Sequence, residues 1–166
     1  MPDAVDLIAA SWQEVRPDVD VSPMQVLGRL SRLSRVLERE LGTFFAGHDL
    51  ERWEFDVLAT LRRAGSETGL TAGALNKAAM VTSGAITNRI DRLAAKDLVE
   101  RLPDAVDRRA IRVHLTPKGL ALIDELLPLH LANETRLLAD LSPADREQLA
   151  ALLRVLGESW GDTTLS

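Results

Sequence analysis

The sequence predicts a mainly α fold that carries one small β-hairpin. Three observations predict it. Apolar residues recur at spacings of three and four along most of the chain, the pattern of amphipathic helices. After Asp97 that period gives way to the twofold alternation of a half-buried strand, with Ile111, Val113 and Leu115 separated by Arg112 and His114. Proline follows a hydroxyl residue at Ser22-Pro23, Thr116-Pro117 and Ser142-Pro143. Each pair reads as a helix start, in which the hydroxyl accepts a bond from an orphan amide and proline takes the first helical position.

The elements follow in order. Residues 3–15 form a short helix with Leu7, Ile8 and Trp12 on one side, broken at Arg16-Pro17-Asp18. From Pro23 to about Ala46, Leu27, Leu30, Leu33, Leu37, Leu41 and Phe44 make an apolar stripe. A helix from about Leu50 to Ala64 turns Trp53, Val57, Leu58 and Leu61 inward, and Gly65 and Gly69 bound a loop. Two short helices, Thr71–Ala79 and Thr82–Lys96, are joined by Met80-Val81. Leu98–Leu102 is a strand ended by Pro103, and Ile111–Leu115 is its hairpin partner across a polar, basic loop. Helices at about 117–139 and 143–159 close the chain. Pro128 is expected to kink the first of them.

Composition excludes several functions. With no cysteine there is no disulfide framework, no thiol redox sensor and no thiolate zinc site. His48, His114 and His130 lie far apart and match no metal-ligand spacing. No apolar run approaches the ~20 residues of a membrane span, and Met1-Pro2-Asp3 opens no secretion signal, so the expected location is the cytoplasm. No glycine-rich phosphate loop or nucleophile elbow is present; neither enzyme activity nor a cofactor is expected. The net charge is −5, yet Thr82–Lys118 holds eight basic and five acidic residues. That span carries +3 and the remainder −8, a local basic surface on an acidic body.

The second short helix has two distinct faces. At about 100° per residue, Ile86, Ile90 and Leu93 share one. Gly84, Thr87, Asn88 and Asp91 share the other, with Arg92 beside them. Small residues at Ser83, Gly84 and Ala85 permit close approach to a duplex, and Thr82 at the helix start suits a phosphate. Arg108 and Arg109 at the hairpin tip are placed for a minor groove or for phosphates. A helix pair followed at once by a basic hairpin is a winged helix-turn-helix. Thr82, Ser83, Thr87, Asn88, Arg92, Arg108 and Arg109 are its candidate DNA-binding residues.

Two stretches carry a resemblance. Val81–Leu93 resembles the recognition helix of MarR-family regulators, and Asp107–Gly119 resembles that family's wing, an Asp-Arg-Arg tip running into a strand and Leu-Thr. The resemblance covers residues 23–160. It implies a homodimeric transcriptional repressor with two reading helices on successive major grooves of a near-palindromic site. The implied organisation is an extension helix at 1–20, a winged region at 49–116, and dimerisation helices at 21–48 and 117–166. The many apolar residues of those last segments independently call for burial across a twofold axis.

The family's urate-responsive branch is similar in an extra N-terminal helix with a tryptophan, an acid in the helix before the reading pair, and two arginines. The matching residues are Trp12, Asp56, Arg89 and Arg101. Arg89 lies at the flank of the apolar face, about 60° from its centre, so it points partly toward the body. Asp56 is a partner for it. An anionic aromatic ligand such as urate or a phenolic acid would compete for Arg89, and Trp12 would stack over the site. A structural Asp56–Arg89 ion pair with Trp12 as packing is the other account of these residues. Two other classes also stand: a winged protein-interaction module and a ligand-binding protein, both without DNA binding. The Arg108-Arg109 tip disfavours both.

Overall fold

The computed structural model describes residues 1–65, 68–78, 83–104, 107 and 109–164, in two units, Met1–Asp49 and Leu50–Ser166. The first unit is a helix pair, α1 (Ala4–Val15) and α2 (Ser22–Ala46). Asp3 caps α1 by accepting from the Val5 and Asp6 amides. Val5 and Ala9 are buried, and Val5 packs against the open side of Gly28. Arg29 fastens the pair, meeting Asp3 at 2.9 Å and Asp6 at 2.8 Å.

One expected cap differs. Ser22 is already helical, and Val21 precedes it without a side-chain cap. Asp20 accepts from both the Ser22 amide and its hydroxyl, at 2.9 and 3.0 Å. A longer acceptor two residues upstream thus engages the serine, and the helix begins one residue early. The apolar stripe of α2 is largely uncovered: Leu27, Leu33 and Leu37 are exposed, and burial is confined to Leu41 and Phe45 near its end.

The second unit begins with α3 (Arg52–Ala64), whose Val57, Leu58 and Leu61 are almost fully buried. It continues through β1 (Leu70–Thr71), α4 (Ala72–Ala78), α5 (Ser83–Ala95), β2 (Val99–Pro103), β3 (Ile111–Leu115), α6 (Pro117–Leu137) and α7 (Pro143–Ser159). The hairpin pairs Val99 with Leu115 and Pro103 with Ile111. Pro103 therefore closes β2 inside the ladder, which an edge strand permits. A third strand was not expected. β1 pairs antiparallel with the other side of β3, Leu70 opposite Val113, giving the order β1-β3-β2. Gly69 makes this possible: its φ is +56°, and a Cβ there would lie 2.7 Å from the Val113 carbonyl oxygen.

Thr116 and Ser142 cap α6 and α7 as the sequence predicts, accepting from the Gly119 and Asp145 amides. The Thr116 hydroxyl also donates to the Asp97 carbonyl at 2.7 Å, which ties the start of α6 to the turn before β2. Gly119 completes that junction, since a Cβ would stand 2.0 Å from the Leu98 carbonyl oxygen. α6 continues as helix through Pro128 and buries Ile123 and Leu126. α7 buries nothing, and Leu149, Leu152, Leu153 and Val155 are exposed along it. Among the described residues no helix is long and apolar enough to cross a membrane, and no group of three or more acidic or histidine side chains is arranged to hold a metal ion.

Candidate nucleic-acid interface

The reading helix is set by its own apolar face. Ile86, Ile90 and Leu93 are buried, at most 4 % exposed. Each side chain stabilises the seating of α5 by about 1.5–3 kcal/mol. The opposite face is open: Thr87, Asn88, Asp91 and Arg92 are exposed. Thr82 and Arg108 lie outside the described residues, and Ser83 is described only as the first residue of α5. Arg109 is exposed at the hairpin tip, where its amide donates to the Asp107 carboxylate at 3.0 Å. Asp107 in turn donates its amide to Asp104, and Asp104 is paired with Arg112 of β3. Arg112 also reaches the Thr68 and Gly69 carbonyls, so the wing base is braced against the approach to β1.

A cluster that the sequence did not suggest joins α3 to α5. Arg89 and Arg92 of α5 and Lys96, just past its end, form one basic stripe. The first turn of α3 meets all three. The Arg89 and Arg92 guanidinium carbons lie 5.1 and 4.8 Å from the centre of the Trp53 ring, within cation–π range. Glu51 accepts from Arg92 and from the Trp53 indole, which places its carboxyl below the usual carboxylate range. Lys96 pairs with Glu54 at 2.7 Å, and the Glu54 side chain is wholly buried. Trp53 is therefore not a core residue of α3; it is half-buried beneath cations.

Of the four ligand candidates, Asp56, Arg89 and Arg101 belong to the second unit, and they engage different neighbours. Trp12 is on α1 in the first unit, about half exposed. Arg101 of β2 meets Asp91 of α5 at 2.6 Å and so ties the wing to the reading helix. Asp56 has Arg52 as its ion-pair partner, at 4.0 Å, and no ion pair joins it to Arg89 among the described residues. Arg89 is turned instead to Trp53. Asp56 nonetheless faces a cavity of about 590 Å³ between α3 and α6, lined also by Arg52, Phe55, Arg63 and His130. Burial raises the Asp56 carboxyl above its ordinary value, opposed by the charges of Arg52, His130, Arg89 and Arg63. Helix α3 thus presents Glu51, Trp53 and Glu54 to the reading helix while Arg52, Asp56 and Arg63 face the cavity.

Known proteins share this fold. Residues 48–110 match the model of the MarR family. The transcriptional regulator PecS of Dickeya dadantii is 38 % identical over 146 residues, 88 % of either chain. The chain belongs to the MarR family. Among solved structures, a variant of MarR from Escherichia coli bound to operator DNA superimposes with a TM-score of 0.69 at 28 % identity, covering 87 % of this chain and 96 % of that one. Bordetella bronchiseptica BpsR, solved in a study of its DNA binding and regulation by 6-hydroxynicotinic acid, gives 0.72 at 27 % identity, covering 84 % and 97 %. This MarR-family chain is a DNA-binding transcriptional regulator with a winged helix-turn-helix.

Proposed function

We propose that this regulator acts as a homodimeric repressor on a near-palindromic operator and releases it when a small anionic aromatic molecule binds. The observation that carries the DNA reading is α5 itself: a helix anchored by Ile86, Ile90 and Leu93, with Thr87 and Asn88 outward and a basic hairpin beside it. In this reading Thr82, Ser83, Thr87, Asn88 and Arg92 address the major groove, and Arg108 and Arg109 hold the backbone or minor groove. The uncovered faces of α2, α6 and α7 supply the dimer contacts. The ligand site within the second unit is the cavity between α3 and α6. An anionic group there would be drawn to Arg52 and Arg63, and a ligand N–H to the Asp56 carboxyl. Such a ligand perturbs the same helix whose first turn grips Arg89 and Arg92, and Asp56 already feels the Arg89 charge. Trp12 as a cover for the ligand is the part that a Trp12→Ala variant tests by itself.

Fluorescence anisotropy with the DNA upstream of the chain's own gene, at two salt concentrations, tests the reading. Wild type binds with steep salt dependence, and the Arg108→Ala, Arg109→Ala double variant lowers the slope by about two, roughly one per lost phosphate contact. An unchanged slope overturns the wing assignment. Urate added to the same titration weakens binding if the ligand reading holds, and an Asp56→Ala variant loses that response.

A further inference from the structure

The contact between the first turn of α3 and the basic stripe of α5 has a use beyond holding a helix. Arg92 sits on a boundary. One turn before it on α5 is Asn88, on the outward face; beside it is Arg89, on the stripe that meets α3. A guanidinium at that edge reaches either a DNA phosphate or Glu51. In this structure it is taken by Glu51, and its central carbon lies over the Trp53 ring. The Trp53 indole donates to the other oxygen of the same carboxylate, so Glu51 is held in place from both sides. The pair is half exposed: the side chains of Arg92 and Glu51 retain 48 % and 54 % of their surface. An exposed ion pair of this kind is weak enough to exchange. Its neighbour is different in kind. Lys96 meets a carboxylate that is wholly buried and that also accepts the Glu51 amide, so that bond anchors α5.

We propose that Glu51 stands in for a DNA phosphate at Arg92, so that operator binding exchanges a carboxylate for a phosphodiester at this guanidinium while Trp53 remains its platform. Glu51 is then a positioning residue with a restraining effect. It holds the Arg92 guanidinium at the Trp53 platform, and it lowers affinity for every duplex by competing for the same fork. The proposal rests on the DNA-binding reading, and its test separates the two.

The test is a double-mutant cycle on DNA affinity, with Glu51→Gln and Arg92→Ala made singly and together and the melting temperature of each recorded. Glu51→Gln tightens binding about three- to fivefold, as expected for release of one exposed pair. In the Arg92→Ala background the same substitution has no effect. Equal tightening in both backgrounds means that Glu51 acts only as a general negative charge, which overturns the exchange. So does weaker binding by a Glu51→Gln protein that melts like wild type. Absence of salt-sensitive DNA binding by wild type sinks the DNA reading itself. A second readout needs no change at position 51. With Trp12→Phe and Trp160→Phe, Trp53 is the sole tryptophan. Its emission shifts on DNA addition as the Arg92 guanidinium leaves Glu51, and the shift is lost in Arg92→Ala; a DNA-bound protein with unchanged emission overturns the exchange.

Discussion

Helices α5 and α7 both carry apolar residues at helical spacing and have opposite fates. α5 has 13 residues and sinks Ile86, Ile90 and Leu93 into its own unit. α7 has 17 residues and buries none of them. The difference teaches where each helix finds its partner. The reading helix must be fixed within one chain, because a base-reading face is useful only at a set angle. The α7 face, with Leu152 about three-fifths exposed, is the apolar surface that the proposed dimer covers with a second copy.

Three substitutions break or sharpen that contrast. The largest effect belongs to Leu93→Ala. Leu93 is fully buried, so truncation costs about 2–5 kcal/mol. Thermal melting detects this, and an unchanged melting temperature means that α5 is anchored elsewhere. The next is Leu152→Asp, which leaves the single chain's core untouched. It removes about 1.5–3 kcal/mol of apolar burial per copy and sets a charge in the proposed interface. Sedimentation then reports monomers at concentrations where wild type is dimeric; a persistent dimer assigns that face to solvent. The smallest is Asp56→Asn. Burial raises the Asp56 carboxyl in the folded chain, so its contribution to stability is complete at low pH and fades as pH rises through the raised value. The asparagine variant is therefore slightly more stable than wild type at neutral pH. The gain is a few tenths of a kcal/mol because the side chain is half exposed. It vanishes below the ordinary carboxylate range. A gain that persists in acid places its origin outside the titration.

Helices and hairpin were legible because they carry a period. Ile86, Ile90 and Leu93 mark a face, and Ile111, Val113 and Leu115 mark a strand, before any packing is known. β1 was not legible, since two residues cannot display an alternation; only Gly69 hinted at close backbone approach. Ser22 misled because hydroxyl-proline names a helix start, while the nearby Asp20 carboxylate decides which bonds form there. The candidate site was half legible. The outward face of α5 follows from periodicity alone. Trp53 reads as core in the sequence because apolar spacing does not distinguish a ring under aliphatic carbon from a ring under two guanidiniums. Asp56 was singled out by resemblance, yet its ion-pair partner is Arg52, one turn before it on its own helix. The cavity arises from how α3 meets α6, which no local pattern records. Glu51 and Glu54 bore a faint signal as two acids three apart at a helix start.

The junction at Thr116 has a mechanical meaning. Strand β3 ends at Leu115, Thr116 bonds to the Asp97 and Leu98 carbonyls, and Pro117 already belongs to α6. There is no slack between wing and helix. The 21 residues of α6 extend for about 30 Å, so a tilt of about 10° swings one end by about 5 Å relative to the other. The wing is thus the short arm of a lever whose long arm is α6. In the proposed dimer, the crossing angle of the two long arms sets how far apart the wings reach along the duplex. A regulator built this way can retune the spacing of its operator by repacking helices far from DNA, with every base-reading side chain unchanged.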